Sequence, residues 1–260
     1  MGCRIEHKRS WAIRALHEAK QHERSAFVTL TYNNQNLPPD LGLHVDHWQN
    51  FAKRVRNRFG KFRFFGCGEY GGESKRPHWH FLAYGLDWSH DRETHTLRGQ
   101  HPTYISESLA EAWPYGYHEI GSITYASTQY VASYTTKKLG GEKKEREYYR
   151  WDPNTRNSWS VRPEFGLMSR RPGLGIDWLK KFWKDVYPSD EVIIEGRKYR
   201  PPSYYDAWME QNHPEVMIPV KKKRKEMAMQ EPLGQSRFRQ TVAKETIQRA
   251  VNNLFTEKEI

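Results

Sequence analysis

The chain has 260 residues with 42 Lys and Arg against 31 Asp and Glu, a formal charge of +11 that favours a polyanionic partner, nucleic acid first and an anionic membrane surface second. No apolar run reaches the roughly 18 residues of a membrane helix, and an aromatic content of 14% argues against disorder. Cys3 and Cys67 are the two cysteines, so the chain cannot build a disulfide framework or a cysteine-based zinc site, and we expect it in a reducing cytoplasm.

Helical and strand patterns alternate along the first part of the chain. Apolar residues at helical spacing predict a basic amphipathic helix over Glu6–His22, and a run of β-branched and aromatic residues predicts a strand over Phe27–Tyr32. A second helix is predicted from a capping Asp46 to about Phe59. Lys and Arg on a helix surface are usually only solvated. The candidates for phosphate contacts are Arg54, Arg56, Arg58 and Lys138.

The next elements predict the sheet. A strand over Phe62–Glu69, a glycine-containing loop over Tyr70–Arg76 and a returning strand over His78–Tyr84 form a candidate antiparallel hairpin. Hairpin pairing without long parallel crossovers indicates an α+β fold, in which helices flank a central antiparallel sheet. Further predictions are a short helix at Ser106–Trp113, a strand at His118–Tyr125, and a helix capped by Ser127 that ends at Gly140-Gly141.

Beyond residue 141 the patterns weaken. A helix is predicted over Asp177–Tyr187, and Arg200-Pro201-Pro202 marks a break. The basic run Lys221–Lys225 is typical of a solvated segment, and Thr241–Phe255 has helical periodicity. We predict a main domain over residues 1–190 and a partly helical, basic C-terminal extension over residues 191–260. We expect the last 40 residues to be mobile. A more specific hypothesis is that they bind the phosphates of nucleic acid independently of its sequence.

Two histidines in the predicted hairpin could bind a metal. In His78-Trp79-His80 the strand period of two places both imidazoles on one face. If the hairpin loop is centred between Ser74 and Lys75, Glu69 lies directly across from His80 and supplies a carboxylate ligand. Two histidines and one carboxylate with open positions suit a divalent ion. The alternative is a pair of merely hydrogen-bonded histidines, since the chain has 12 of them.

Two tyrosines in the helix after Ser127 could act as nucleophiles. Tyr130 and Tyr134 are spaced i, i+4, so they project from one helix face, and Lys137 lies on the same side. A phenol with an ordinary pKa of about 10 needs a nearby cation or a polarised phosphate to react. The alternative is an aromatic stripe buried in the core. The combination of the two tyrosines with the histidine strand, the upstream Glu69 and a basic surface favours chemistry.

Several separated stretches occur in the order of a known family. The chain resembles the rolling-circle replication initiators of the HUH endonuclease class, specifically the replication proteins of gokushovirus-type microviruses, which are small single-stranded DNA bacteriophages. The family has further residues with additional cysteines before the position of Met1, so we expect a missing N-terminal piece or a later start. The resemblance spans residues 3–205 and is carried by Trp11–Arg14, Phe27–Tyr32, Phe64–Tyr70, Arg76–His80, Trp113–Gly116, Tyr130–Lys138 and Met168–Arg170.

This resemblance implies a set of roles. His78 and His80 would be ligands of Mg or Mn, Tyr130 and Tyr134 alternating nucleophiles, and Lys137 the family's motif lysine. Glu69 matches only a more general feature of HUH proteins, which have a third metal ligand that is acidic or polar. The implied activity is strand-specific cleavage of single-stranded DNA at the phage origin. It leaves a 5′-phosphotyrosine and a free 3′-hydroxyl that primes a host polymerase, while a host helicase unwinds the DNA in the bacterial cytoplasm.

Two other functions stay open. A non-catalytic single-stranded nucleic-acid-binding protein would grip phosphates and stack its aromatic residues on bases, but it would not require a histidine strand together with paired tyrosines. A plasmid relaxase shares the chemistry, but its tyrosine normally precedes the histidines, whereas Tyr130 and Tyr134 follow His80. The sequence has no Gly-x-x-x-x-Gly-Lys-Ser/Thr motif, so we expect no ATP site, and its lack of membrane-spanning runs predicts no membrane partner.

Overall fold

The computed structural model describes residues 2–98, 101–136, 147–152, 154–230, 244–246 and 248. Lys137, Lys138 and the predicted helix end at Gly140-Gly141 lie outside the described residues, as does most of the predicted helix over Thr241–Phe255. Within the described part of the chain, no helix combines the length and the apolar character needed to cross a bilayer.

A seven-stranded antiparallel sheet forms the centre of the fold. Its strands are β1 (Ser25–Tyr32), β2 (Arg63–Tyr70), β3 (Pro77–Tyr84), β4 (Arg92–Arg98), β5 (His101–Ser106), β6 (Gly116–Gly121) and β9 (Phe165–Met168). The strand order is β4-β5-β6-β1-β3-β2-β9, so β1 is the middle strand, with β3 and β6 on either side of it. This sheet, with helices packed against it, confirms the predicted α+β class. Two small hairpins pair β7 (Tyr149–Trp151) with β8 (Ser158–Ser160) and β10 (Val192–Ile194) with β11 (Arg197–Tyr199).

The helices predicted between Glu6 and Tyr187 are present within the described residues, with shifted ends. Asp46 lies inside the first turn of its helix rather than at the cap, because the helix starts at Val45 and His44 occupies the N-cap position. Ser127 is also inside its helix: its backbone N–H donates to Thr124 Oγ1, and the Thr124 N–H donates to Ser127 Oγ. The helices are α1 (Gly2–Ala19), α2 (Val45–Phe59), α3 (Glu107–Ala112), α4 (Tyr125–Thr136), α5 (Ile176–Val186), α6 (Ser203–Asn212) and α7 (Pro214–Gln230).

The two faces of the sheet carry separate apolar clusters. On one face, α2 packs Phe51 and Val55 against Trp79 and Phe81 of β3. On the other face, α1 and α4 share a cluster with Leu82 of β3. Because side chains alternate along a strand, the odd-numbered residues of β3 face α2 and the even-numbered ones face α1 and α4. His78 and His80 are therefore on the α4 side.

The C-terminal elements join the second cluster. Val192, Tyr205 and Met209 are buried in the same cluster as Ile13 of α1. Side chains before and after residue 190 thus share one core, and a domain boundary there remains a prediction. The interpretation of Lys221–Lys225 as a solvated segment is wrong at Arg224. This residue lies on α7 and donates from Nε to Asp190 Oδ2 (2.6 Å) and from Nη1 to Asp206 Oδ2 (2.8 Å).

Candidate metal and tyrosine site

The β2–β3 hairpin brings the predicted ligands together in a register that differs from the prediction. Glu69 pairs with His78, and Cys67 pairs with His80, so Glu69 is not directly across from His80. The loop is centred one residue earlier than predicted because the last pair is Tyr70 with Pro77 and the Lys75 N–H donates back to the Gly71 carbonyl. The resulting shift of two residues preserves the alternation, so Glu69 still shares a face with both histidines.

Glu69, His78 and His80 form a compact cluster. Glu69 Oε1 lies 2.5 Å from His78 Nε2 and 3.1 Å from His80 Nε2. One potential ligand atom from each residue lies within 4.8 Å of the others. Glu69 is buried, and the side chains of the two histidines are 15% and 11% exposed. The cluster is therefore largely enclosed, with a small part of each imidazole still exposed.

The outer nitrogens of both histidines are held by neighbouring groups. His78 Nδ1 lies 3.1 Å from the Arg76 carbonyl, which can only accept, so Nδ1 is the donor. His80 Nδ1 lies 2.9 Å from Thr29 Oγ1 on β1. Both contacts leave Nε2 facing Glu69, which is the arrangement found around metal-binding histidines.

The donor set fits a divalent cation. Glu69 Oε2 is buried and makes no hydrogen bond with any residue in the described part of the chain. A buried carboxylate oxygen without a partner is costly, and a cation beside it would remove that cost. Two imidazoles and one carboxylate are suitable ligands for Mn²⁺, and the carboxylate also suits Mg²⁺. Glu69, His78 and His80 would hold the ion.

The charges of the cluster are coupled. Burial opposes the ionisation of Glu69, but its hydrogen bonds with His78 and His80 outweigh burial and hold its pKa well below the ordinary value. Burial also opposes protonation of His78, yet the Glu69 carboxylate raises the pKa of that imidazole. For His80 burial dominates and lowers the pKa. Glu69 is therefore an anion at neutral pH and available as a ligand.

Helix α4 places both predicted tyrosines at this cluster. Tyr130 donates its hydroxyl to Glu69 Oε1 at 2.6 Å and lies 3.4 Å from His80 Nε2. The Tyr134 hydroxyl lies 3.5 Å from that of Tyr130. Val131 and Ala132 of the same helix are buried in the core, so the helix cannot rotate without exposing them. Both hydroxyls therefore lie at the cluster, while the Tyr134 side chain also packs against the second apolar cluster.

Both phenols are strongly held in the protonated form. Burial, and then the negative charge of Glu69, raises the pKa of Tyr130 and of Tyr134 well above the ordinary value. A protonated phenol is a poor nucleophile. Burial and the Glu69 charge thus both oppose ionisation of the two phenols.

The structure does not bring the predicted arginines to this cluster. They lie on α2, which packs on the opposite face of the sheet. Arg54 Nε donates to the Ala112 carbonyl at 2.7 Å, the Arg56 guanidinium lies over Phe62, and Arg58 pairs with Glu111. Their contact with DNA stays a prediction.

Sequence reasoning did not single out two residues of the neighbouring strands β1 and β6. Thr29 and Glu119, which pair with each other across β1 and β6, share the face of His80. The Thr103 hydroxyl donates to Glu119 Oε1 at 3.0 Å. A cavity of about 470 Å³ is lined in part by Thr29, Thr31, Tyr117 and Glu119. The alternation of β1 could have marked Thr29 as facing one side, but only the strand order shows that this side is the histidine face.

The fold and the site define an α+β protein with a candidate metal centre lined by two tyrosines. Residues 25–139, which include all five residues of the centre, match the family model described as replication-associated protein ORF2/G2P. The chain belongs to this family of phage replication-associated proteins, which confirms the resemblance to phage replication proteins.

Individual relatives support this assignment. The chain is 30% identical over 240 residues to replication-associated protein VP4 of Bdellovibrio phage phiMH2K, covering 87% of the chain and 72% of the relative. It is 28% identical over 244 residues to replication-associated protein ORF2 of Spiroplasma virus 4, covering 88% and 72%. It is also 28% identical over 212 residues to replication-associated protein ORF4 of Chlamydia phage 1, covering 78% and 50%. No solved structure matches the chain.

Proposed function

We propose that the protein initiates rolling-circle replication of a phage genome as a site- and strand-specific single-stranded DNA endonuclease and strand transferase. The observation that supports this most directly is the position of the Tyr130 hydroxyl, 2.6 Å from the carboxylate oxygen that both histidine Nε2 atoms approach. A nucleophile and a candidate metal centre are thus adjacent. The names of the relatives, replication-associated proteins of phages, agree with the proposal.

The proposed reaction is a transesterification. The Tyr130 oxygen attacks the scissile phosphorus, the bond from phosphorus to the 3′ oxygen breaks, and the phenol gives up its proton while the departing 3′ oxygen gains one. The products are a 5′-phosphotyrosine and a free 3′-hydroxyl. A divalent Mg or Mn ion bound at the triad would polarise the phosphate, stabilise its developing negative charge and offset the effect of Glu69 on the phenol. The ester keeps the bond energy, so rejoining needs no ATP.

Two tyrosines suit a reaction that must cut twice. Tyr134, 3.5 Å from Tyr130, can attack the regenerated origin while Tyr130 still holds the first 5′ end. The 3′-hydroxyl released by this second cleavage then attacks the phosphorus of the Tyr130 ester, the bond from phosphorus to the phenol oxygen breaks, and Tyr130 leaves protonated as the DNA circle closes. Lys137 would neutralise charge or lower the pKa of the attacking tyrosine, and Lys138 and the α2 arginines remain candidate phosphate contacts. The 3′ end would prime a host polymerase, with unwinding by a host helicase, in the bacterial cytoplasm.

The test uses labelled single-stranded origin DNA with Mn²⁺ or Mg²⁺, resolved on a denaturing gel. The variants are Tyr130→Phe, Tyr134→Phe, the double variant and His80→Ala. We expect a covalent protein–DNA adduct on the 5′-phosphate side. It should be lost in the double variant and greatly weakened by His80→Ala or a chelator.

Two results would contradict the proposal. Cleavage that survives the double tyrosine substitution indicates a nuclease that uses water. Salt-sensitive binding without any cleavage of the origin indicates the non-catalytic binding protein. Tyr104→Phe is a matched control, because Tyr104 of β5 packs against the apolar cluster on the α2 side of the sheet, on the opposite face from the triad and α4. That variant should form the adduct at the wild-type level.

A further inference from the structure

The β7–β8 ribbon displays two aromatic side chains on its outer surface. Tyr149 and Trp151 are 51% and 59% exposed, and the residue between them, Arg150, is buried. Their partners across the ribbon are Ser160 and Ser158. A serine opposite an aromatic ring is too small to cover it, so both rings stay open to a ligand.

The exposure does not result from a loosely attached ribbon. Under the ribbon, Arg150 Nη1 donates to the Glu147 carbonyl at 2.7 Å, and its guanidinium lies 5.0 Å from the Tyr70 ring centroid. Trp159 donates from Nε1 to the Asp40 carbonyl at 2.8 Å. Tyr148 and Val161 flank the ribbon and are buried in the main apolar cluster. The inner face thus fixes the ribbon and leaves the outer face presented.

The ribbon is attached to the hairpin that holds the candidate ligands. Lys75, in the β2–β3 loop between Glu69 and His78, pairs with Glu147 at the start of the ribbon with an Nζ–Oε1 distance of 2.8 Å. At the end of the ribbon, the Tyr70 hydroxyl donates to the Arg162 carbonyl at 2.7 Å. The ribbon that carries Tyr149 and Trp151 is therefore attached to the loop end of the β2–β3 hairpin.

We propose that Tyr149 and Trp151 form a stacking platform for unpaired bases of the single-stranded DNA that the tyrosine site acts on. The identity of the strand rests on the proposed function; the platform itself rests on the ribbon. Residues i and i+2 of a strand are about 6.6 Å apart, about twice the 3.4 Å spacing of stacked bases, so one base can insert between the two rings. A chain of charge +11 favours a polyanion over a protein as the occupant, and aromatic stacking tolerates any base.

The experiment measures DNA binding without cleavage. Anisotropy of a labelled oligothymidylate is compared with that of an abasic oligonucleotide of equal length, in the Tyr130→Phe, Tyr134→Phe background. Adding Tyr149→Ala and Trp151→Ala should weaken binding of the oligothymidylate by at least about fivefold for each ring. Binding of the abasic strand should change by less than about twofold, because its phosphates are the same.

Matched variants keep the test specific. Trp151→Phe retains a ring and should restore most of the affinity that Trp151→Ala loses. Phe182→Ala on α5, which removes another partly exposed aromatic ring, should leave binding unchanged. Equal affinity of the Ala variants and their parent for oligothymidylate would overturn the platform, as would an equal loss on the abasic strand, which would point to a structural or phosphate role.

The two proposals can fail separately. Since the binding assay contains no nucleophilic tyrosine, a base-dependent loss of affinity would support the platform even if the wild-type protein never cleaves DNA. Conversely, cleavage of the origin at saturating DNA by the Tyr149→Ala, Trp151→Ala variant, with unchanged affinity, would reject the platform and retain the endonuclease.

Discussion

At the scale of single residues, the candidate centre depends on side chains that are not ligands themselves but hold the candidate ligands in position. Thr29 accepts or donates at His80 Nδ1, 2.9 Å away, and His80 can offer an Nε2 lone pair to a metal only if Nδ1 holds the proton. Thr29 of β1 is also paired directly with His80 of β3, so the register of these two strands fixes the contact. Thr29 is thus a positioning residue for the candidate ligand.

Replacing Thr29 by Val should weaken binding of Mn²⁺, because the methyl group keeps the shape of the side chain but cannot accept the Nδ1 proton. Outer contacts of this kind are worth about 10- to 100-fold in metal affinity. Isothermal titration with Mn²⁺ measures the change. Thr29→Ser, which keeps the hydroxyl, should bind within a few-fold of wild type, and equal affinities for Val and wild type would show that Thr29 does not orient His80.

A second residue-scale prediction concerns His17, a histidine far from the triad in sequence. It is buried, stacks on Trp178 with a centroid distance of 3.5 Å, and its Nδ1 lies 3.0 Å from the Tyr205 hydroxyl. Burial, with a smaller contribution from Lys20, lowers its pKa from 6.5 to about 3. His17 therefore stays neutral in the folded state at a pH where the unfolded chain takes up a proton.

Because the folded pKa is depressed, the unfolded state binds more protons between about pH 3 and 6.5, and stability falls as the pH falls through that range. The expected loss is about 1.4 kcal/mol per pH unit, or about 2 kcal/mol between pH 6.5 and 5. Urea unfolding at both pH values measures it. In His17→Gln this part of the pH dependence should disappear, and an undiminished slope in that variant would contradict the assignment.

At the scale of elements, the sequence predicts local features better than partners. The hairpin of β2 and β3 follows from two apolar runs around a glycine-containing loop. By contrast, β4 and β5 are rich in polar residues, so their sequences lack the apolar alternation that predicts a strand. Strand β9 pairs with β2 although the two lie about a hundred residues apart, and a local pattern cannot predict such a partner. The same limit explains why the histidines and tyrosines could be predicted and Thr29 could not. Each pair lies within a short sequence motif, whereas the position of Thr29 beside His80 depends on the order of the strands in the sheet.

Strand β6 provides an element-scale test, since it forms the face beside Thr29. A Cβ at Gly116 would lie 2.2 Å from the Thr31 carbonyl oxygen and 2.3 Å from the Asn33 nitrogen, both backbone atoms that cannot move aside cheaply. Gly116→Ala should therefore push β6 from β1 and lower the free energy of unfolding by about 1–3 kcal/mol or more.

Gly121 on the same strand is the matched control. There the nearest atom to a new Cβ would be 3.9 Å away, on Phe27, which is an ordinary contact. Thermal unfolding of both variants separates packing from a general effect of alanine in β6. If Gly121→Ala lowers the melting temperature as much as Gly116→Ala, close backbone approach is not the reason.

At the scale of the whole molecule, the apolar cluster behind the tyrosine helix extends to the C-terminal elements. Val131 and Ala132 of α4 belong to the same cluster as Tyr205 of α6 and Met217 of α7. The α4 side of the sheet thus gains its core from both ends of the chain. Retention of α7 in this assembly depends in part on charge, because Arg224 lies between Asp190 and Asp206 with a side chain that is 16% exposed.

Removing the Arg224 guanidinium should destabilise the molecule rather than only loosen its surface. Arg224→Met keeps most of the apolar stem but leaves two neighbouring carboxylates without their shared cation, which we expect to cost about 3 kcal/mol of unfolding free energy. Lys222→Met is the control from the same basic run, because Lys222 is 79% exposed and 4.0 Å from Glu226, and such pairs contribute at most about 1 kcal/mol. Urea unfolding compares the two variants. Equal stability would mean that the basic run acts only as a solvated surface, whereas a selective loss in Arg224→Met would show that the contacts of α7 with Asp190 and Asp206 contribute to the stability of the fold.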